Sequence, residues 1–130
     1  MSDIVDQRIA RLELDEDGFV HLQYKPGVTS ELSDVQEFAT IFQQLARGRA
    51  YLLSDLALKG SSSEGRAYAA TAEYAENLHA VAAYGMSRVG VLVATVFLRL
   101  QRPRFPMRIF ATEEDARAWL RKVRGDNVAA

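Results

Sequence analysis

Pro106-Met107-Arg108-Ile109-Phe110-Ala111-Thr112-Glu113-Glu114-Asp115-Ala116-Arg117-Ala118-Trp119-Leu120 holds a strand and a capped helix almost end to end. Met107 to Phe110 is a short, mostly apolar strand. Thr112-x-x-Asp115 has the form of a capping box, in which a hydroxyl accepts from a backbone N–H and an acid reaches back. Beyond it, Ala116, Trp119, Leu120 and Val123 fall on one helical face. The same sequence pattern recurs upstream. Tyr51 to Leu56 and Ala80 to Tyr84 are short apolar runs, and the intervals between strands leave room for one helix each, about Ser62 to Leu78 and Ser87 to Gln101. With the last helix over Thr112 to Arg124, this is the pattern of parallel strands joined by helical crossovers.

The start of the chain reads differently. Ala10, Leu12 and Leu14 alternate with polar residues, as do Val20, Leu22 and Tyr24, and Asp15-Glu16-Asp17-Gly18 separates the two runs: a β-hairpin with an acidic turn. After Ser30, Leu32, Val35, Phe38, Ile41, Phe42 and Leu45 recur at spacings of three and four up to Gly48, a helix capped at both ends. The predicted order is ββαβαβαβα: one α/β domain over residues 1–130, its mixed sheet opened by the antiparallel hairpin, with 125–130 as a frayed tail.

The 130 residues are 48% apolar and 25% charged, enough for one core without staples. Sixteen bases against seventeen acids leave no global basic field for nucleic acid, and with no cysteine there is no disulfide, thiol chemistry or thiolate metal site. Asp3 and Asp6 argue against a secretory leader, and Asn77 to Leu98, the most apolar stretch, is interrupted by His79, Gly85 and Arg88 rather than spanning a bilayer. The expectation is a cytoplasmic protein without a transmembrane segment. Charge is unevenly spread: residues 1–65 carry 11 acids and 6 bases, residues 66–130 carry 6 and 10. No acid lies between Glu76 and Glu113, a window that holds Arg88, Arg99, Arg102, Arg104 and Arg108.

With this order of elements the chain resembles the STAS/SEC14-like superfamily, in particular the small bacterial SpoIIAA-like proteins related to anti-sigma-factor antagonists. The closing stretch Pro106 to Leu120 carries the resemblance most specifically, as a strand, a Phe, an acidic helix start and Ala-x-x-Trp-Leu. Leu53-Ser54-Asp55 followed by Ser62-Ser63-Glu64-Gly65-Arg66-Ala67-Tyr68 is a second match. The resemblance implies a non-enzymatic regulatory module of a bacterial signalling pathway, acting on a protein partner; the apolar helix from Val89 to Leu98 adds the expectation of a homodimer. Its SEC14 side implies the alternative, a carrier or sensor of a small apolar or lipid-like ligand. Phosphorylatable antagonists carry an Asp-Ser-Ser/Thr-Gly type motif after the third strand. Leu56 to Ser63 supplies hydroxyls here without that motif, so Ser61, Ser62 and Ser63 are phosphoacceptor candidates by position alone, and the loop and helix start from Lys59 to Arg66 is the expected recognition site for a partner.

The residues themselves give plainer readings beside these. Ser61-x-x-Glu64 fits a capping box. Glu73, Glu76 and His79 have half of a di-iron spacing, but no second copy exists and His21 is expected on the outward face of the hairpin, so no metal or other cofactor is expected. There is no nucleophile elbow, dinucleotide fingerprint or phosphate-binding loop, and hence no expected enzyme activity. Val89 to Leu98 is apolar around nearly the whole helix. Its outer side is either buried under the last helix and Trp119, paired with a second copy through Val89, Val93, Val96 and Phe97, or covered by a lipid or peptide. Arg99, Arg102, Arg104 and Arg108 could then frame an anionic group, or be ordinary solvated arginines.

Overall fold

The computed structural model describes residues 4–126. Eight strands and five helices follow one another as β1 (Ile4–Asp6), β2 (Ala10–Leu14), β3 (Val20–Tyr24), β4 (Thr29–Ser30), α1 (Leu32–Ala46), β5 (Ala50–Asp55), β6 (Gly60–Ser61), α2 (Ser63–Ala69), α3 (Ala72–Ala75), β7 (Leu78–Tyr84), α4 (Arg88–Gln101), β8 (Met107–Phe110) and α5 (Glu113–Arg124). The main sheet has the order β1-β2-β3-β5-β7-β8. Its first three strands are an antiparallel meander, and β3, β5, β7 and β8 run parallel.

The α/β class and the mixed sheet are those read from the sequence. Five details differ. Ile4 to Asp6 adds an edge strand, too short to show alternation. β4 and β6 form a separate parallel pair, Thr29 opposite Gly60 and Ser30 opposite Ser61. The crossover between β5 and β7 is two short helices rather than one, because Thr71 donates to the Tyr68 carbonyl at 2.7 Å and accepts from the Tyr74 amide at 3.2 Å, stopping one helix and starting the next. Ser30 belongs to β4, and Glu31 is the N-cap of α1, its amide held by the Asp34 carboxylate at 2.9 Å. Arg47, not Gly48, takes the left-handed position at the C-terminal end of α1 (φ 55°).

The strand order determines the layers. From β3 the sheet grows in one direction only, and right-handed crossovers in one direction place their helices on one face. There α1, α2 and α3 cover Leu12, Val20, Leu22, Leu52 and Val81, joined by Val35, Phe38, Phe42 and Tyr74. α5 follows the last strand and folds back across the other face, where Ala116 and Leu120 bury Phe19, Leu53, Ala80 and Ala82. A register shift opposite Ala50 and Tyr51 leaves His79 as an extra residue in β7, so that Leu78 and Val81 both reach the first face.

α4 and α5 therefore sit on opposite faces, and of the alternatives for α4 the cover by the last helix and Trp119 is not formed. Trp119 packs on Phe110, with ring centroids 5.9 Å apart. Gly125 closes α5 in the left-handed region and Asp126 pairs with Arg124; the rest of the predicted tail, residues 127–130, lies outside the described residues. Among the described residues no helix is long and apolar enough to cross a membrane.

Candidate functional site

α4 is turned the wrong way round for a helix on a sheet. Its sheet side presents Gly90, Val91, Ala94, Thr95 and Leu98, all only half-buried, and no residue of the helix is fully buried. Its solvent side presents Val89, Leu92, Val93, Val96, Phe97 and Leu100, from 59% exposed at Val96 to 78% at Leu100. The reason is positional: β8 is the edge strand, so α4 rests on the last strand with no neighbour beyond it. Contiguous apolar surface of this kind is uncommon on a monomer. Ser87 fixes where the helix begins, accepting from the Gly90 amide at 3.1 Å.

Between α4 and the α2–α3 pair the same face is left uncovered. The two short helices do not reach α4, and a groove of about 680 Å³ opens there. Leu52, Val81, Tyr74, Leu98, Phe105 and Met107 line it with apolar surface. Arg66, Arg102 and Arg104 stand around it, and no acidic residue contributes to the lining. Arg104 donates through Nε to the Ala70 carbonyl at 3.2 Å, tying the Pro103–Pro106 loop to the end of α2. Arg102 ends α4 in the left-handed region, φ 50°.

The four arginines expected to frame one anionic group are divided between two hollows. Arg102 and Arg104 meet Arg66 at this groove. Arg99 and Arg108 line a second hollow of about 510 Å³ between α4 and β8, and the Arg108 guanidinium lies 5.2 Å from the Phe110 ring centre. The serine loop also divides. Ser61 is in β6, where Arg66 Nη1 donates to its Oγ at 3.0 Å. Ser62, one residue later than expected, caps α2 by accepting from the Gly65 amide at 3.0 Å, and Ser63 donates to Glu64 at 2.6 Å. The cap at Ser61-x-x-Glu64 is thus displaced, since pairing with Ser30 holds Ser61 in a strand. The Lys59 amide joins the same strip by donating to the Val28 carbonyl at 2.9 Å.

On the α5 face a polar cluster appears that the sequence did not suggest. His21 is buried, not on an outward face, because β3 lies between β2 and β5 with α5 above it. Arg117 Nη2 approaches His21 Nδ1 at 3.5 Å, which leaves Nε2–H to donate to Tyr84 Oη at 2.7 Å. Burial pushes the imidazole below its usual range, aided by Arg117 and opposed by Glu113, Asp15 and Asp55. Tyr84 is pushed up to about 12 by burial and by Glu113 and Asp55. Arg117 is itself held by Asp15 at 2.7 Å, Glu113 at 2.8 Å and Asp17 at 2.9 Å. With its charges paired internally, this cluster fastens α5 to the hairpin turn. His79 lies elsewhere, stacked on Tyr51 with centroids 4.8 Å apart, and no metal-holding group of three His, Asp or Glu side chains occurs among the described residues.

A solved structure similar to this chain is an uncharacterized protein of the DUF3478 family with a SpoIIAA-like fold, from Shewanella loihica PV-4. The match has a TM-score of 0.61 at 14% identity over 92% of this chain and 95% of that one. The SpoIIAA-like fold implied by the closing stretch is therefore the fold of this protein. No curated protein matches the chain in sequence. The family model for a domain of unknown function, DUF7793, matches residues 12–124, and the chain belongs to that family.

Proposed function

We propose that the protein is a non-enzymatic binding module of a regulatory pathway in the bacterial cytoplasm, and that it works by protein–protein contact through the outward face of α4. The observation that carries this reading is the orientation of that helix, with its large apolar residues in solvent and its small ones on the sheet. A second copy of the chain is the occupant. Val89, Val93, Val96 and Leu100 are spaced by four, three and four residues, the seam of two packed helices. A closed two-fold pair hides such a face on both copies at once. The absence of cysteine and of any catalytic motif supports the non-enzymatic, cytoplasmic part of the reading.

Sedimentation equilibrium of the wild type and of Val93→Glu tests it. The expected result is a dimer for the wild type and a folded monomer for the variant, with the melting temperature measured at low protein concentration nearly unchanged because Val93 is 64% exposed. A wild type that stays monomeric at 100 μM refutes self-pairing, and a variant that remains dimeric moves the seam away from α4.

A further inference from the structure

We infer that the groove between α2–α3 and α4 is a binding site for a single amphipathic organic anion, a carboxylate on an apolar body. It is independent of the α4 pairing, since the groove opens on the other side of that helix. Three features of the groove carry it. The volume of about 680 Å³ lies in the range of small-molecule sites. The lining is apolar where it meets the sheet, through Leu52, Val81 and Met107. At the rim the charge is of one sign only: Arg66, Arg102 and Arg104, with no acid in the lining and no ion pair to any of the three among the described residues.

That last point separates these arginines from the four that are paired. Arg8, Arg117, Arg121 and Arg124 are all paired with carboxylates. Arg66 and Arg104 are instead held by neutral oxygens, Ser61 Oγ and the Ala70 carbonyl, which position a guanidinium without neutralising it. A guanidinium presents five N–H donors in a planar fork that matches a carboxylate. The apolar body then lies toward Met107 and Val81, and the carboxylate stays at the rim near water, where its desolvation is small. A bilayer is a poorer fit than a single molecule, because α2–α3 and α4 stand on either side of the groove and keep a flat surface from reaching its floor.

The test is titration of the intact protein with decanoate below its micellar concentration, followed by calorimetry and by the 13C-methyl signals of the methionines. The expected result is one site per chain, with 1-decanol at least tenfold weaker. The Met107 methyl should shift, while that of Met86, near the start of α4, stays in place. Arg102→Gln and Arg104→Gln should each weaken decanoate about fivefold or more and leave decanol unchanged, which also reports that the groove is still formed. Val93→Glu should bind decanoate as the wild type does. Equal binding of decanoate and decanol overturns the proposal, as does an unmoved Met107 methyl or loss of binding in Val93→Glu. Preferential sedimentation with phosphatidylglycerol vesicles over free decanoate overturns it too, in favour of a membrane surface.

Discussion

Among single residues, His21 has the clearest consequence. Its imidazole is buried, bonded to Tyr84 and faced by Arg117, and burial is the main reason its proton affinity is lowered. In the unfolded chain the same group titrates near about 6.5. As pH falls through that value the unfolded state takes up a proton before the folded state does, so stability falls with pH, by up to about 1.4 kcal/mol per unit, until the folded imidazole titrates as well. The carboxylates act in a different window. Asp17 is held low by its hydrogen bond from Arg121, against burial and with Arg117 adding to it. At Asp34, burial alone would raise the group, but bonds from Arg8, the Glu31 amide and Gln7 outweigh it. Their stabilisation is present above the unfolded value near about 4 and is lost only below it. Denaturant midpoints from pH 7.5 to 5 should therefore decline in the wild type and be flat in His21→Gln. Parallel declines in both would show that His21 is not the group responsible.

At the level of elements, α5 can be read almost completely from the sequence. Thr112 caps it by accepting from the Asp115 amide at 3.2 Å, and Ala116 and Leu120 point inward as their spacing requires. Trp119 and Val123 are the exceptions, Val123 being exposed at the end of the helix, since a wide face at helical spacing does not say which member lies at its centre. Leu120 is fully buried, whereas Trp119 is half-buried against Phe110. Leu120→Ala should thus cost about 2–5 kcal/mol, and Trp119→Ala less than the about 3–5 kcal/mol of a fully enclosed aromatic. Chemical denaturation of the two variants decides it, and the reverse order would place Trp119 at the centre of the packing. The division of the second crossover is harder to read. Ala69, Ala70 and Thr71 suit a helix interior well enough, and only the two hydrogen bonds of Thr71 break it.

For the molecule as a whole, periodicity sets the number and type of layers, but the face on which each helix lands depends on strand order, which no local pattern contains. The apolar girdle of α4 was legible from Val89 to Leu98, and its outward orientation was not, because that depends on β8 being the edge strand. The convergence of Arg66 on Arg102 and Arg104 was hidden for the same reason: it needs two neighbouring crossovers on one face, the first of them only a short helix pair. His21 lay beyond reach too, since Arg117, which is adjacent to it in space, is distant in sequence. This asymmetric layering has a dynamic consequence. β5 and β7 are covered on both faces and hold the two cores together, whereas α4 touches the sheet at one edge and buries no residue completely. Segments with few buried contacts open locally at a fraction of the global free energy. Native-state hydrogen exchange on the wild type at low concentration should therefore release the α4 amides at least 100-fold faster than those of Leu52, Leu53 and Val81. Under the proposed pairing, raising the concentration should slow α4 selectively, because a second copy would cover the helix and leave the central strands as they were. Equal protection of α4 and the central strands at low concentration would mean that α4 belongs to the global cooperative unit despite its position, and the edge would not be the weak point of this fold.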